Sequence, residues 1–167
     1  HKMDFYSIVS THEGHDGKQV TSQVLNIRRF DMPTEDVIEH LQLEPGTPVV
    51  YIKRLFLFDD KPLAVGRSWL SLARFPGLDE TGLGEKGLTA TLRSRYNTII
   101  RRFNDAIEAV RPAPDERNLL DVSYDCPLLM VRGLSFDQHN VPVEYSTTYW
   151  LGDKVRFTVS MNTQEVE

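Results

Sequence analysis

One supersecondary pattern occurs twice in this chain, and that duplication limits the fold more than any single motif does. Its clearer copy is residues 127–157, PLLMVRGLSFDQHNVPVEYSTTYWLGDKVRF, two extended runs folded back on each other and closed by a Gly-Asp step. A weaker copy occupies residues 48–70. Leu41 aligns with Leu120, Leu43 with Val122 and Pro48 with Pro127, each pair 79 residues apart; beyond the turn the spacing is 80, matching Pro62 with Pro142 and Trp69 with Tyr149. Each copy reads as short helix, proline-bounded loop, apolar strand, polar turn, proline and second strand. Two copies are too few for a solenoid. Two such units sharing one antiparallel sheet, with helices on one face, predict an α+β domain with an internal pseudo-repeat. The crevice between two like hairpins is the natural place for a ligand.

Local signals fill in the rest. Apolar alternation over residues 5–9 and again over residues 19–30 suits strands, with the polar loop THEGHDGK between them. Pro33-Thr34 before Glu35-Asp36 marks a helix start, with acids where the dipole favours them; Val37, Ile38 and Leu41 form its stripe, and Pro45-Gly46 ends it. Residues 49–58 and 63–72, joined by Asp59-Asp60-Lys61-Pro62, predict an antiparallel hairpin. Residues 75–87 read as loop and residues 88–96 as helix. Residues 98–110 fit two templates. Ile99, Ile100, Phe103, Ile107 and Val110 match a helical stripe, while Thr98, Ile100, Arg102 and Asn104 alternate as in a strand; periodicity alone favours helix. A short helix over 115–120 precedes the second hairpin, and residues 155–161 predict a closing strand. His1-Lys2-Met3 reads as a cut edge and residues 163–167 as a frayed tail, leaving residues 4–162 as one domain.

Bulk properties narrow the function. The 167 residues suffice for one full core. A net charge of −5 makes this stretch a poor binder of nucleic acid, whose affinity rests on Lys and Arg neutralising phosphates. The single cysteine, Cys126, allows no internal disulfide and fits a reducing cytoplasm. No run of about 18 apolar residues and no signal peptide is present, so neither a membrane span nor export is indicated.

Catalytic and metal patterns are weak. His12-Glu13-Gly14-His15-Asp16 misses the zincin spacing, because Asp16 stands where the second histidine belongs, and its glycines argue for a solvated loop. Neither a Ser-His-Asp nor a Cys-His arrangement is visible, and Cys126 has no adjacent base or cation. Arg54 carries more information. It shares a strand face with Val50, Ile52, Phe56 and Phe58, and an arginine among inward apolar side chains must find an anion. That anion is either an internal acid, Glu144 or Asp153, or the carboxylate or phosphate of a ligand. Glu144, Ser146 and Thr148 share one face of the return strand, a row suited to a polyhydroxy or anionic ligand or to a solvated face. Arg67 and Ser68 occupy the corresponding strand of the first copy.

FPGL at 75–78, VPVEYSTTYWLGDKVRF at 141–157 and LEPGTPVVYIKRLFLFDDKPLAVGRSWL together resemble a UTRA domain, the effector-binding half of HutC-type regulators of the GntR family. The resemblance covers nearly the whole chain in order. It implies a chorismate-lyase-like α+β fold, a homodimer, and a winged helix-turn-helix DNA-binding domain upstream. It also makes residues 98–110 mainly strand, and that reading is preferred over the helical one. Family effectors are small and often anionic: sugar phosphates, urocanate-like acids, phosphonates. By the resemblance, Ser10, Thr11, Arg54 and Tyr149 surround the ligand, with Arg67, Ser68 and Glu144 as further candidates. Two places depart from the family pattern. Phe56 stands where a second arginine is expected and Gly66 where an acid is usual, which argues against an amino-sugar phosphate and for a less charged effector. The expected function is ligand sensing in a transcriptional regulator, acting as a repressor, with no cofactor or metal. The alternative is a lyase releasing an aromatic acid.

Overall fold

The computed structural model describes residues 3–4 and 20–159. Two residues, β1 (Met3–Asp4), pair in parallel with β8 (Val155–Arg156). The main sheet has six strands, β2 (Val20–Phe30), β3 (Val49–Phe58), β4 (Lys61–Ser71), β5 (Ile100–Val110), β6 (Leu128–Asp137) and β7 (Pro142–Leu151), in the order β2-β3-β4-β7-β6-β5. Every neighbouring pair in it is antiparallel. Four helices accompany them among the described residues: α1 (Glu35–Leu41), α2 (Leu78–Thr81), α3 (Leu88–Tyr96) and α4 (Pro114–Leu120). None is long and apolar enough to cross a membrane.

The duplication read from the sequence is the architecture, and it extends further than the sequence signals did. α1 and α4, and likewise β3 and β6, begin and end 79 residues apart, while β2 and β5 are related by 80. Each copy is therefore strand, helix, hairpin, and the two copies meet where β4 pairs with β7. Helix ends repeat as well. Gln42 (φ 53°) and Asp121 (φ 54°) take the left-handed conformation at equivalent positions. Leu43 N–H donates to Ile38 C=O at 3.0 Å in one copy, and Val122 N–H to Arg117 C=O at 3.1 Å in the other. Asp59 (φ 51°) and Asp60 (φ 60°) supply the positive φ pair that a two-residue hairpin turn needs. Most of the ambiguous 98–110 stretch, Ile100–Val110, forms β5, as the resemblance implied and periodicity did not.

The sheet's two faces differ. On one, α1 and α4 cover a layer that includes Val49, Trp69 and Tyr145 under α1, and Val65, Leu128 and Leu151 under α4. On the other, α2 and α3 cover one end, where Phe75, Leu78, Leu88 and Leu92 pack on Val50, Ile52 and Leu70. The expectation of helices on one face holds for the repeated pair; the inserted pair α2–α3, the first of which was expected to be loop, takes the other. A second apolar cluster, Val20, Ala64, Val131, Trp150 and Val155, covers the far end of that face. Between the two clusters the face is polar.

Candidate functional site

The polar band crosses the middle of the sheet. Strand alternation puts Arg54 of β3, Gly66 and Ser68 of β4, Glu144, Ser146 and Thr148 of β7, and Gly133 and Ser135 of β6 on this one face; Arg54 pairs with Gly66, Ser68 with Ser146 and Glu144 with Ser135. Three of the expected residues meet here. Arg54 Nη2 donates to Ser68 Oγ at 3.2 Å and lies 3.5 Å from Glu144 Oε2, and Ser68 Oγ donates to the same carboxylate oxygen at 2.5 Å. The side chains of Arg54 and Glu144 are 11% and 18% exposed. Of the two internal acids the sequence offered Arg54, the structure selects Glu144.

That pairing is incomplete. Arg54 Nε is buried with no hydrogen-bond partner, and so is Ser135 Oγ. Burial lowers the pKa of Arg54, against the pull of Glu144 toward the charged form. A guanidinium held at 3.5 Å by one carboxylate and left with an unused donor is poised for a second oxyanion, whose planar pair of oxygens its fork matches. Asp105 of β5 borders the same band. Its pKa is raised, first by burial and then by Glu144. Its carboxylate lies on the backbone at Gly133, where a Cβ would come within 1.7 Å of Asp105 Oδ1.

The two departures from the family pattern turn out to be one feature. A Cβ on Gly66 would sit 2.9 Å from Phe56 Cε2; the phenyl ring fills the space that any side chain at 66 would need. Arg54 lies over that ring at 4.9 Å, and the ring stacks on Trp150 at 5.9 Å and 22°. An aromatic plate thus adjoins the arginine in place of a second cation and an acid.

Arg67 and Tyr149 are not on the face that carries this polar band. Both lie on the helix-covered face, with Arg67 5.7 Å from the Tyr149 ring. Arg67 Nη2 reaches Asp115 Oδ2 at 2.6 Å and Nη1 reaches the buried Glu116 Oε1 at 2.7 Å, and Lys53 Nζ joins Asp115 Oδ2 at 2.6 Å. Burial works against the charge on Arg67, but Glu116 outweighs it and the pKa is raised. Tyr149, expected around the ligand with Arg54, and Arg67, a further candidate, point to the other face for a simple reason: adjacent strand residues alternate, Arg67 neighbours Ser68, and Tyr149 pairs with Val65. Ser10 and Thr11, and the histidines of 12–16, lie outside the described residues. Among the described residues no cluster of three or more His, Cys, Asp or Glu has metal-holding geometry. Sequence reasoning passed over Ser135 and Asp105. The small polar Gly133-x-Ser135 step, following Leu129 and Val131 on the same strand face, was the available signal.

The UTRA domain family matches residues 15–156. The chain belongs to the UTRA domain family. Its relatives include the HTH-type transcriptional repressor PhnF of Mycolicibacterium smegmatis, 29% identical over 135 residues, covering 80% of this chain and 55% of the relative. The HTH-type transcriptional regulator GmuR of Bacillus subtilis is 26% identical over 140 residues, covering 82% and 57%. The crystal structure of the effector domain of PhnF from Mycobacterium smegmatis matches with a TM-score of 0.80 at 26% identity, covering 88% of this chain and 90% of that one. This UTRA chain spans a little over half the length of the curated relatives it matches. UTRA domains bind effectors, and the named relatives are regulators; the lyase alternative is not favoured.

Proposed function

We propose that this UTRA chain is the effector-sensing part of a cytoplasmic DNA-binding transcriptional regulator, acting as a repressor. A small ligand binds on the polar band and shifts a homodimer between arrangements that present upstream DNA-binding domains differently. The observation that carries the reading is the buried Arg54 with its unused Nε, set between Glu144 and an aromatic plate. One cation suits one carboxylate or phosphate group, and Phe56 with Trp150 suits an apolar or aromatic remainder. A small organic acid therefore fits better than a multiply charged amino-sugar phosphate. Ser68 and Ser135 would hydrogen-bond its polar groups, and Ser10 and Thr11 remain candidates by resemblance.

Isothermal titration against small organic acids and sugar phosphates tests this. At least one monoanionic acid is expected to bind with micromolar or better affinity, and Arg54→Ala to weaken it about a hundred-fold, the scale of a lost charge-assisted pair. Absence of binding across both classes would count against the reading.

A further inference from the structure

We propose that Asp105 is a further specificity residue of the effector band, and that the effector it selects is a zwitterion, with an acid group on Arg54 and a protonated amine on Asp105. The proposal rests on the effector reading above and deepens it by adding the cationic group.

Strand register brings the two ends together. Ser68 pairs with Ser146, Ser146 with Gly133 and Gly133 with Asp105, so these four lie in one row across β4, β7, β6 and β5. A cation closes one end, where Arg54 Nη2 stands 3.2 Å from Ser68 Oγ. A carboxylate closes the other. Asp105 is folded inward over β6, its Oδ1 close to where a Cβ on Gly133 would be, and only a glycine leaves it that place. Between the ends the floor is Gly133 and Ser146, two small residues, with Ser135 beside Gly133 on the same face. Ser135 is 4% exposed and its Oγ has no hydrogen-bond partner. A ligand lying along the row supplies one.

Charge decides the class. The band sets one cation, Arg54, against two carboxylates, Glu144 and Asp105. Glu144 is already engaged by Arg54 and Ser68. Asp105 has no such partner: among the described residues no cation pairs with it, and burial first, then Glu144, raise its pKa. A simple anion on Arg54 adds a third negative charge to the band. An ammonium at the far end offsets that charge and gives Asp105 its missing partner.

Strand spacing sets the length. Ser68 and Gly133 are two strands apart, about 10 Å. Two hydrogen bonds of about 2.9 Å take up more than half of that, leaving about 4 Å between acid oxygen and ammonium nitrogen. This is the span of a β- or γ-amino acid. Phe56 and Trp150, beside Arg54, accommodate an apolar or ring substituent on it.

Isothermal titration of the 167-residue chain against matched pairs tests this. The pairs are β-alanine with propionate and γ-aminobutyrate with butyrate, each with and without a phenyl substituent. At least one amino acid is expected to bind about ten-fold or more tightly than its deaminated counterpart, the scale of an added charge-assisted pair. Asp105→Asn is expected to remove that preference from both sides. It weakens the amino acid about ten-fold and strengthens the plain acid, because a like charge is gone. A merely structural role would weaken both. Gly133→Ala, whose Cβ displaces the same carboxylate without altering it, is expected to do likewise and serves if Asp105→Asn does not fold. Pairs that bind alike, or an Asp105→Asn that weakens both members equally, overturn the zwitterion and leave the effector reading standing. Silence from every pair also overturns the zwitterion; the effector reading falls with it only if the organic acids and sugar phosphates of the earlier titration are silent too.

Discussion

At the scale of single residues, the site is defined by Arg54 and by the two positions beside it. Phe56 and Gly66 are a matched pair: the ring occupies the volume that a Cβ at 66 would enter, at 2.9 Å. Gly66→Ala must therefore push the ring off Trp150 and away from Arg54. We expect it to cost about 1–3 kcal/mol in urea unfolding, the usual range for overpacking. Combining it with Phe56→Ala should recover part of that loss, a non-additivity that independent sites would not show. Arg54 and Glu144 were legible in the sequence because a charge within an apolar alternation demands a partner. Tyr149, suggested by the resemblance, and Arg67, suggested by its place in the first copy's return strand, lie on the face away from Arg54, because strand parity groups them with Val65 and not with Ser68. Ser135 was silent because a serine in a strand carries no signal until its hydroxyl is seen to be buried and unused.

Among the elements, α4 and the β6–β7 turn are both pinned by carboxylates. Asp115 accepts from Lys53 and Arg67, which hold its pKa below the ordinary aspartate value, the Lys53 hydrogen bond contributing most. Asp137 is opposed by its burial, yet the backbone N–H groups of Val141 and His139 and the Arg74 guanidinium outweigh that and keep it low. Groups depressed in the folded state contribute stability that is complete above their unfolded value, about pH 4, and is lost as pH falls below it. Asp105 is raised and acts in the opposite sense, withdrawing stability as pH climbs from about 4 through its folded value. Melting temperature measured from pH 6 to pH 3 should fall steeply for the wild type. Asp137→Asn should show a shallower acid slope and lose about 2 kcal/mol at pH 7, the scale of charge-assisted bonds lost from a buried site. An unchanged slope would mean that Asp137 is not protonating in that range. The α4 helix itself was readable from Pro114 and its acidic first turn; what its acids hold was not, because Lys53 and Arg67 lie 62 and 48 residues from Asp115 in the chain.

For the whole molecule, the two copies are joined through β4 and β7, the innermost strands, each with a neighbour on both sides. Opening them requires separating the halves, whereas among the described residues β2 is paired only with β3. Amide hydrogen exchange is expected to be about a hundred-fold slower in β4 and β7 than in β2, with the slowest amides reporting global unfolding. Comparable protection in β2 would show that the copies do not unfold from the edge inward.

The sequence by itself determined the duplicated plan. Alternation, prolines and turn residues act over a few positions, so they survive reading without coordinates, and a spacing held at 79 to 80 residues can arise only from two like units. It also determined that Arg54 needs an anion. Only the tertiary structure decided which face of the shared sheet is covered by α1 and α4, and hence that Ser68 joins Arg54 while Arg67 binds α4. Facing is set by how the two halves register at β4 and β7, with Arg67 opposite Thr147 and Ser68 opposite Ser146. A one-residue slip there would reverse every assignment. No local pattern in either strand specifies that register, because it is chosen by the packing of both copies at once.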